Sequence, residues 1–207
     1  ENMFLPEALL NYLLRLGWGY GDKEFFTKDE AIKLFSLKGI GKSAARFDEK
    51  KLNYINTKYF KKLTINQLKL IVSNSYPIKN VNQNYLSDLL NTFQERSEDI
   101  NSFLYGLEYM LNDADIVMTE KAKGIIDSSN KLTLDKIIKS LVEIESWNAP
   151  TIEEELKKLS KNFNLNLFKI ASPIRAAVTG KSHSPSIFKI LELLGKEPSI
   201  KRLKKSF

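Results

Sequence analysis

Cysteine is absent from this chain and histidine occurs once, at position 183. The first absence excludes disulfides, zinc knuckles and thiol nucleophiles, and leaves the redox compartment open. The second leaves no supported Ser-His-Asp set around His183 and no multi-histidine metal site. Long apolar runs are missing too. Stretches such as Ile187–Leu194 are far too short to cross a bilayer, and no signal-peptide pattern opens the sequence. The expected location is cytoplasmic, with no membrane partner. Acidic charge is scarce at one end. From Lys157 to Phe207 there are twelve Lys or Arg against two acids, Glu192 and Glu197, a local net of +10. The whole chain is +7, so residues 1–156 carry about −3. Charge confined to one end suits a docked polyanion, because each phosphate neutralised releases condensed counterions. A solvated basic face with no partner is the plainer reading of the same composition.

What is present is ordinary for a globular protein: 43% hydrophobic and 28% charged residues over 207 positions. That length predicts one or two domains with a real core. The opening Glu1-Asn2-Met3-Phe4, directly ahead of a helix, reads as a cut inside a longer protein. Helical periodicity then dominates. Pro6 sits in the first turn of a helix, where its missing N–H costs nothing. Leu9, Leu10, Tyr12, Leu13 and Leu16 are expected as its apolar face, with Gly17 as the stop. Thr27 with Glu30 and Thr64 with Gln67 have capping-box spacing. Ile32, Leu34 and Phe35 are expected as a buried stripe after the first box. Further helices are expected around Leu52–Phe60, Tyr85–Phe93, Ile100–Leu111 and Leu134–Ile144, with a break at 73–80 around Pro77. Pro150-Thr151 should start another helix, with Glu153, Glu154 and Glu155 opposing its dipole. Ser172-Pro173 and Ser184-Pro185 look like two more starts, each a serine cap followed by proline. Strand-type alternation is nearly absent, so the expected fold is all-α.

The acids sit on helix faces or at helix starts. Asp113 and Asp115 fit a turn better than a catalytic carboxylate pair. Gly39-Ile40-Gly41-Lys42-Ser43 mimics the end of a phosphate-binding P-loop, but no strand precedes it, and Ser36 stands where the motif requires glycine. The same stretch suits contact with nucleic acid. Lys42, Ser43, Arg46, Lys50 and Lys51 place cations and a hydroxyl in and after a glycine-flanked loop, whose amides could approach phosphate or ribose. Arg175 and the Ser184-Pro185-Ser186-Ile187 segment offer a second candidate, with donors and a hydroxyl beside an apolar side chain. Two ordinary capped helices with Ile187 in the core would explain those residues equally well.

Three blocks of sequence carry a resemblance. They are Phe4-Leu5-Pro6-Glu7-Ala8-Leu9-Leu10-Asn11-Tyr12-Leu13 with Leu16-Gly17-Trp18 and Gly21-Asp22; Lys42-Ser43-Ala44-Ala45-Arg46-Phe47-Asp48 with Lys51-Leu52 and Asn56; and Pro173-Ile174-Arg175-Ala176-Ala177-Val178-Thr179-Gly180 with Ser184-Pro185 and Leu193-Leu194-Gly195-Lys196-Glu197. In this order they resemble the C-terminal portion of bacterial-type glutamyl-tRNA synthetase, a class I enzyme. Positions 64–148 match mainly in helical pattern. The resemblance implies a stem-contact helical domain over 1–62 and an all-helical anticodon-binding cage of two subdomains over 63–207, divided near 148–150. Lys42, Ser43, Arg46 and Lys51 would touch the tRNA backbone. Arg96 would read the third anticodon base. Arg175 falls on a second arginine of the cage, and Ser184, Pro185 and Ile187 on positions that meet the first two bases. Ser184 and Ile187 stand where a relative has threonine and leucine. Arg96 has an alternative as a surface residue paired with Glu95 or Asp99.

The partner implied is glutamate tRNA, with glutamine tRNA left open, together with an upstream catalytic domain of the same polypeptide. ATP and magnesium would belong to that missing domain, and no cofactor or catalytic residue is expected in this chain, which should be inactive alone. A helical protein-interaction module that has lost RNA binding is the competing function.

Overall fold

A computed structural model describes residues 3–42, 44–112 and 116–207. Among them are twelve α-helices, one 3-10 turn at Leu37–Gly39 and no strand beyond an isolated bridge between Trp18 and Ile40. The all-α expectation holds. The chain divides into two compact units, residues 1–75 with 93–105 and residues 76–92 with 106–207.

The first unit holds α1 (Pro6–Gly17), α2 (Lys28–Leu34), α3 (Glu49–Phe60), α4 (Ile65–Ser73), the end of α5 (Gln83–Gln94) and the start of α6 (Ile100–Leu111). Pro6 opens α1 as expected. Its free backbone is completed from α3, since Leu5 N–H donates to buried Asn56 Oδ1 at 2.9 Å. The face that α1 buries is not the leucine face. Ala8, Asn11 and Tyr12 are buried, while Leu9, Leu10 and Leu13 are exposed. Apolar residues surround this helix, and the side that packs on α3 is the one whose small and polar members fit there. Asn11 Nδ2 donates to Glu24 O at 2.9 Å, and its Oδ1 accepts from Phe26 N–H at 2.8 Å. One buried amide thereby satisfies two backbone groups of the following loop.

Both capping boxes form, at Thr27/Glu30 and Thr64/Gln67. The buried stripe expected after the first does not. Helix α2 buries no residue, Ile32 is 67% exposed and Phe35 is 48% exposed. Seven residues make barely two turns, so the cap fixes the helix while its apolar side chains stay outside. Leu52, Ile55, Asn56 and Phe60 form the inner face of α3, and Phe60 meets Phe103 edge-on at 5.5 Å.

The second unit contains the remainder of α5 and α6, then α7 (Glu120–Asp127), α8 (Lys131–Glu143), α9 (Ala149–Asn162), α10 (Leu167–Thr179), α11 (Ile187–Leu194) and α12 (Lys196–Ser206). Helix α10 packs against α7, α9, α11 and α12, and nine of its thirteen residues are buried. It does not start at Ser172-Pro173. Asn166 is the cap, accepting from Lys169 N–H at 2.8 Å, and Pro173 lies inside the helix. Proline there removes a hydrogen bond at a cost of about 3 kcal/mol in an isolated helix, which burial on nearly every side outweighs. Helix α9 is capped by Asn148, as Pro150 suggested, yet Glu153–Glu155 lie beyond its first turn. They pair along the helix instead, Glu153 with Lys157 at 2.6 Å and Glu154 with Lys158 at 3.3 Å. Helix α11 begins at Ile187 after Ser186, so Ser184-Pro185 lies just upstream of the helix and is not its cap.

Gly180 ends α10 in the left-handed region, at φ +69°. A Cβ there would meet Val117 O at 2.4 Å and Ile116 Cγ2 at 2.6 Å. Its carbonyl accepts from Thr119 N–H at 2.9 Å, which ties the segment before α7 to the end of α10.

Candidate nucleic-acid interface

In the first unit the cations follow the glycine loop into α3. Lys42, Arg46, Lys50 and Lys51 are all exposed, and among the described residues none pairs with an acid. Ser43, like Asp113 and Asp115, lies outside the described residues. The loop amides themselves are committed within the protein. Gly39 N–H donates to Ser36 O, Ile40 N–H to Leu37 O and Gly41 N–H to Gly17 O. Gly39 is required by close approach, because a Cβ would come within 2.6 Å of Trp18 Nε1. Of the loop amides expected to approach phosphate or ribose, these three are therefore committed within the protein: two close the turn on Ser36 and Leu37, and Gly41 N–H ties the loop to Gly17.

Arg96 occupies the turn between α5 and α6. The turn is fixed from below. Gln94 Nε2 donates to Phe60 O and Leu63 O, each at 3.0 Å, and Lys61 Nζ donates to Glu95 O at 2.8 Å. Ser97 is buried and its hydroxyl donates to Phe93 O at 2.8 Å. Arg96 is exposed on this rigid platform and pairs with neither Glu95 nor Asp99. The ion-pair explanation for it falls away.

In the second unit Arg175 and Ser184 are brought together from nine residues apart. Arg175 Nε donates to Ser184 Oγ at 3.0 Å, and that hydroxyl donates to Pro185 O at 2.8 Å. Both residues are half-buried. One edge of the guanidinium is thereby fixed, and its Nη groups have no partner among the described residues. Burial lowers the Arg175 pKa, and the nearby Tyr109 opposes the shift; the group stays charged. Pro185 is buried, and Ile187 is 1% exposed, inside the core. The accessible chemistry at this helix start is thus Arg175, Ser184 and Ser186 rather than an apolar surface.

Sequence reasoning missed the cations beside this pair. Arg202 donates from Nη1 to Val178 O at 3.1 Å and from Nη2 to Tyr109 O at 2.8 Å. Lys181 sits 5.5 Å from the Tyr109 ring centroid and 3.8 Å from Glu108, and burial lowers its pKa to about 8. Both were counted in the basic tail but not individually, because only tertiary packing distinguishes them from solvated lysines. The tail is less free than its composition suggests. Lys157 and Lys158 pair within α9, Lys189 bridges Asp88 and Glu192, and Lys196 Nζ donates to Ile144 O at 2.6 Å. Part of the positive charge therefore ties elements of the second unit together, through Lys189, Lys196 and Arg202.

Comparison with known proteins gives a consistent result. The family model described as an anticodon binding domain matches residues 57–207. A model described as the catalytic domain of class I tRNA synthetases (E and Q) matches residues 1–54, which here are helices and loops. Glutamate–tRNA ligase 1 of Erythrobacter litoralis is 39% identical over 199 residues, covering 96% of this chain and 41% of the relative. Glutamate–tRNA ligase 2 of Rickettsia bellii is 35% identical over 204 residues, covering 97% of this chain and 44% of the relative. The crystal structure of a glutamate tRNA ligase from Elizabethkingia meningosepticum, in complex with its amino acid, superposes on 98% of this chain and 41% of its own, with a TM-score of 0.82 and 24% identity. That last likeness is one of fold. The chain spans about two fifths of the length of these relatives.

Proposed function

The chain belongs to the anticodon-binding-domain family it shares with glutamate–tRNA ligases, and from that premise we propose that it recognises tRNA, through the anticodon loop and the inner stem. The observation that carries the reading is the Arg175–Ser184 pair. A guanidinium fixed along one edge and left with free donors is suited to meeting a base carbonyl and ring nitrogen together. Residues 1–62 act as the stem-contact part, with Lys42, Ser43, Arg46 and Lys51 on the backbone. Residues 63–207 hold the anticodon, with a sub-boundary near 148–150. Arg96 reads the third base, and Arg175 and Ser184 meet the first two, at a place that Pro185 and Ile187 support from behind. Pro185 is buried and Ile187 lies in the core, so both act by holding Ser184 in place.

The larger activity is ATP-dependent joining of glutamate to tRNA. It would be carried by the portion of the ligases with which this chain does not align. We assign ATP and magnesium to that portion as well; in the P-loop-like stretch here, Gly39, Ile40 and Gly41 N–H already donate within the protein. Leu9, Leu10, Leu13, Ile32, Phe35 and Leu37 give the first unit exposed apolar side chains, and we assign them to contact with the upstream catalytic domain. No described helix is long and apolar enough to cross a membrane, and we place the protein in the cytoplasm.

Titration with transcribed glutamate tRNA tests the proposal. The expected result is binding that weakens steeply with salt and relaxes its choice at the third anticodon base in Arg96→Gln. Absence of RNA binding would leave the protein-interaction module as the reading.

A further inference from the structure

Beyond Lys42, Arg46 and Lys51, the first unit carries a second row of cations that includes aromatic rings. The inner face of α3 buries Leu52, Ile55, Asn56 and Phe60. Its outer face therefore presents Lys50, Tyr54 and Lys58, spaced four residues apart, and Lys62 continues the row just past the helix end. Lys50, Lys58 and Lys62 are exposed, and Tyr54 keeps 50% of its surface in solvent. Lys58 Nζ lies 5.3 Å from the Tyr54 ring centroid, and Lys62 Nζ lies 5.6 Å from that of Phe25. Phe25 in turn bridges Tyr54 and Tyr59, with ring centroids 6.3 and 6.2 Å apart. Tyr59 is anchored by its hydroxyl, which donates to Phe26 O at 2.7 Å. Among the described residues no acid pairs with Lys50, Lys58 or Lys62. Lysines in the last turn of a helix oppose its dipole, which accounts for Lys58 but not for a half-exposed ring between two unpaired cations.

We propose that Lys50, Tyr54, Lys58 and Lys62, with Phe25, form a second RNA contact, in which the lysines follow one strand's phosphates and the Tyr54–Phe25 rings receive an unpaired base. The inference rests on the tRNA reading above and extends it to Phe25, Tyr54, Lys58 and Lys62, which that reading does not use. From Lys50 to Lys58 the row rises about 12 Å along α3 at ~1.5 Å per residue, and Lys62 extends it past the helix end, enough to reach more than one phosphate. Cation and ring together suit RNA better than an acidic protein, because every base has a face that stacks on an aromatic side chain whatever its identity. The contact is therefore blind to sequence and adds affinity rather than choice.

The test uses the full chain and transcribed glutamate tRNA, with binding measured from about 50 to 200 mM salt. Each lost phosphate contact lowers the slope of log affinity against log salt by about 0.9 for a duplex. For Lys58→Ala/Lys62→Ala we expect a slope smaller by about 1.8, so that over this range the variant loses about 10-fold less affinity than the wild type. Tyr54→Leu should weaken binding about fivefold or more with an unchanged slope, and Tyr54→Phe should restore it. Thermal melts serve as the folding control, and exposed positions should leave them unchanged. If the wild type binds while both variants match its affinity and slope, the row is not an RNA contact and the tRNA reading stands. If the wild type binds no tRNA, both fall together.

Discussion

The two units hold their cations in opposite ways. In the first, Lys42, Arg46, Lys50 and Lys51 stand in solvent without acids. In the second, Arg175 is half-buried and tied to Ser184, and Arg202 is tied to two carbonyls. Solvated charge attracts phosphate at long range and imposes little geometry. A desolvated, hydrogen-bonded guanidinium has already lost its rotamer freedom and offers a fixed fork. For these residues the contrast separates sequence-blind attachment from base reading; Arg96, exposed in the first unit on a hydrogen-bonded turn and assigned to the third base, falls outside it.

The largest effect should come from breaking the frame behind the fixed arginine. Gly180→Ala forces a left-handed backbone on alanine, at about 1–2 kcal/mol, and drives its Cβ into Val117 O. Denaturant unfolding should report a loss of at least about 2 kcal/mol, and stability within about 0.5 kcal/mol of wild type would contradict the packing described. Next comes Arg175→Ala. By analogy with bidentate base contacts, cognate affinity should fall by about 1–3 kcal/mol, roughly 5- to 150-fold, with discrimination among anticodons reduced and the salt slope nearly unchanged. Arg46→Ala should do the reverse: a modest, uniform weakening across tRNAs and a salt slope smaller by about 1. If these two variants behave alike, the contrast is lost.

The smallest effect is acid sensitivity. Glu192 is held below its ordinary pKa first by the hydrogen bond from Lys189, helped by Ala149 N–H. A depressed carboxylate contributes stability above its unfolded pKa and loses it as pH falls through the folded one. Glu192→Gln should therefore narrow the stability difference between neutral pH and pH values below about 4.5. Glu30→Gln in the first unit removes a half-exposed pair with Lys23, and melts across the same pH range should change less.

How much was legible in the sequence follows the same division. Local signals were readable where the chain determines its own neighbours: Pro6 at a helix start, both capping boxes, the break around Pro77. Signals that depend on packing were not. Ser172-Pro173 has the composition of a helix start, yet burial of α10 carries the helix through it. Ile32 and Phe35 have the spacing of a core stripe and lie outside, while Asn11 lies inside because two backbone groups need its amide. Helix α7 has an apolar set at helical spacing, Ala122, Ile125 and Ile126, but it is confined to eight residues that include Gly124, too short a stretch to stand out as a helix. Of the site, the residue types were legible and the Arg175–Ser184 contact was not, since nothing local brings positions nine apart across a helix end into hydrogen-bond range. Arg202 and Lys181 were hidden in a charge count for the same reason.

The most direct measurement is the ratio of wild-type dissociation constants for glutamate tRNA and for the same tRNA with its anticodon replaced, at one fixed salt concentration. The account predicts preference for the cognate anticodon by at least about 1 kcal/mol, roughly fivefold. Equal affinity for the two would mean that the second unit's arginines only attach, and would contradict it.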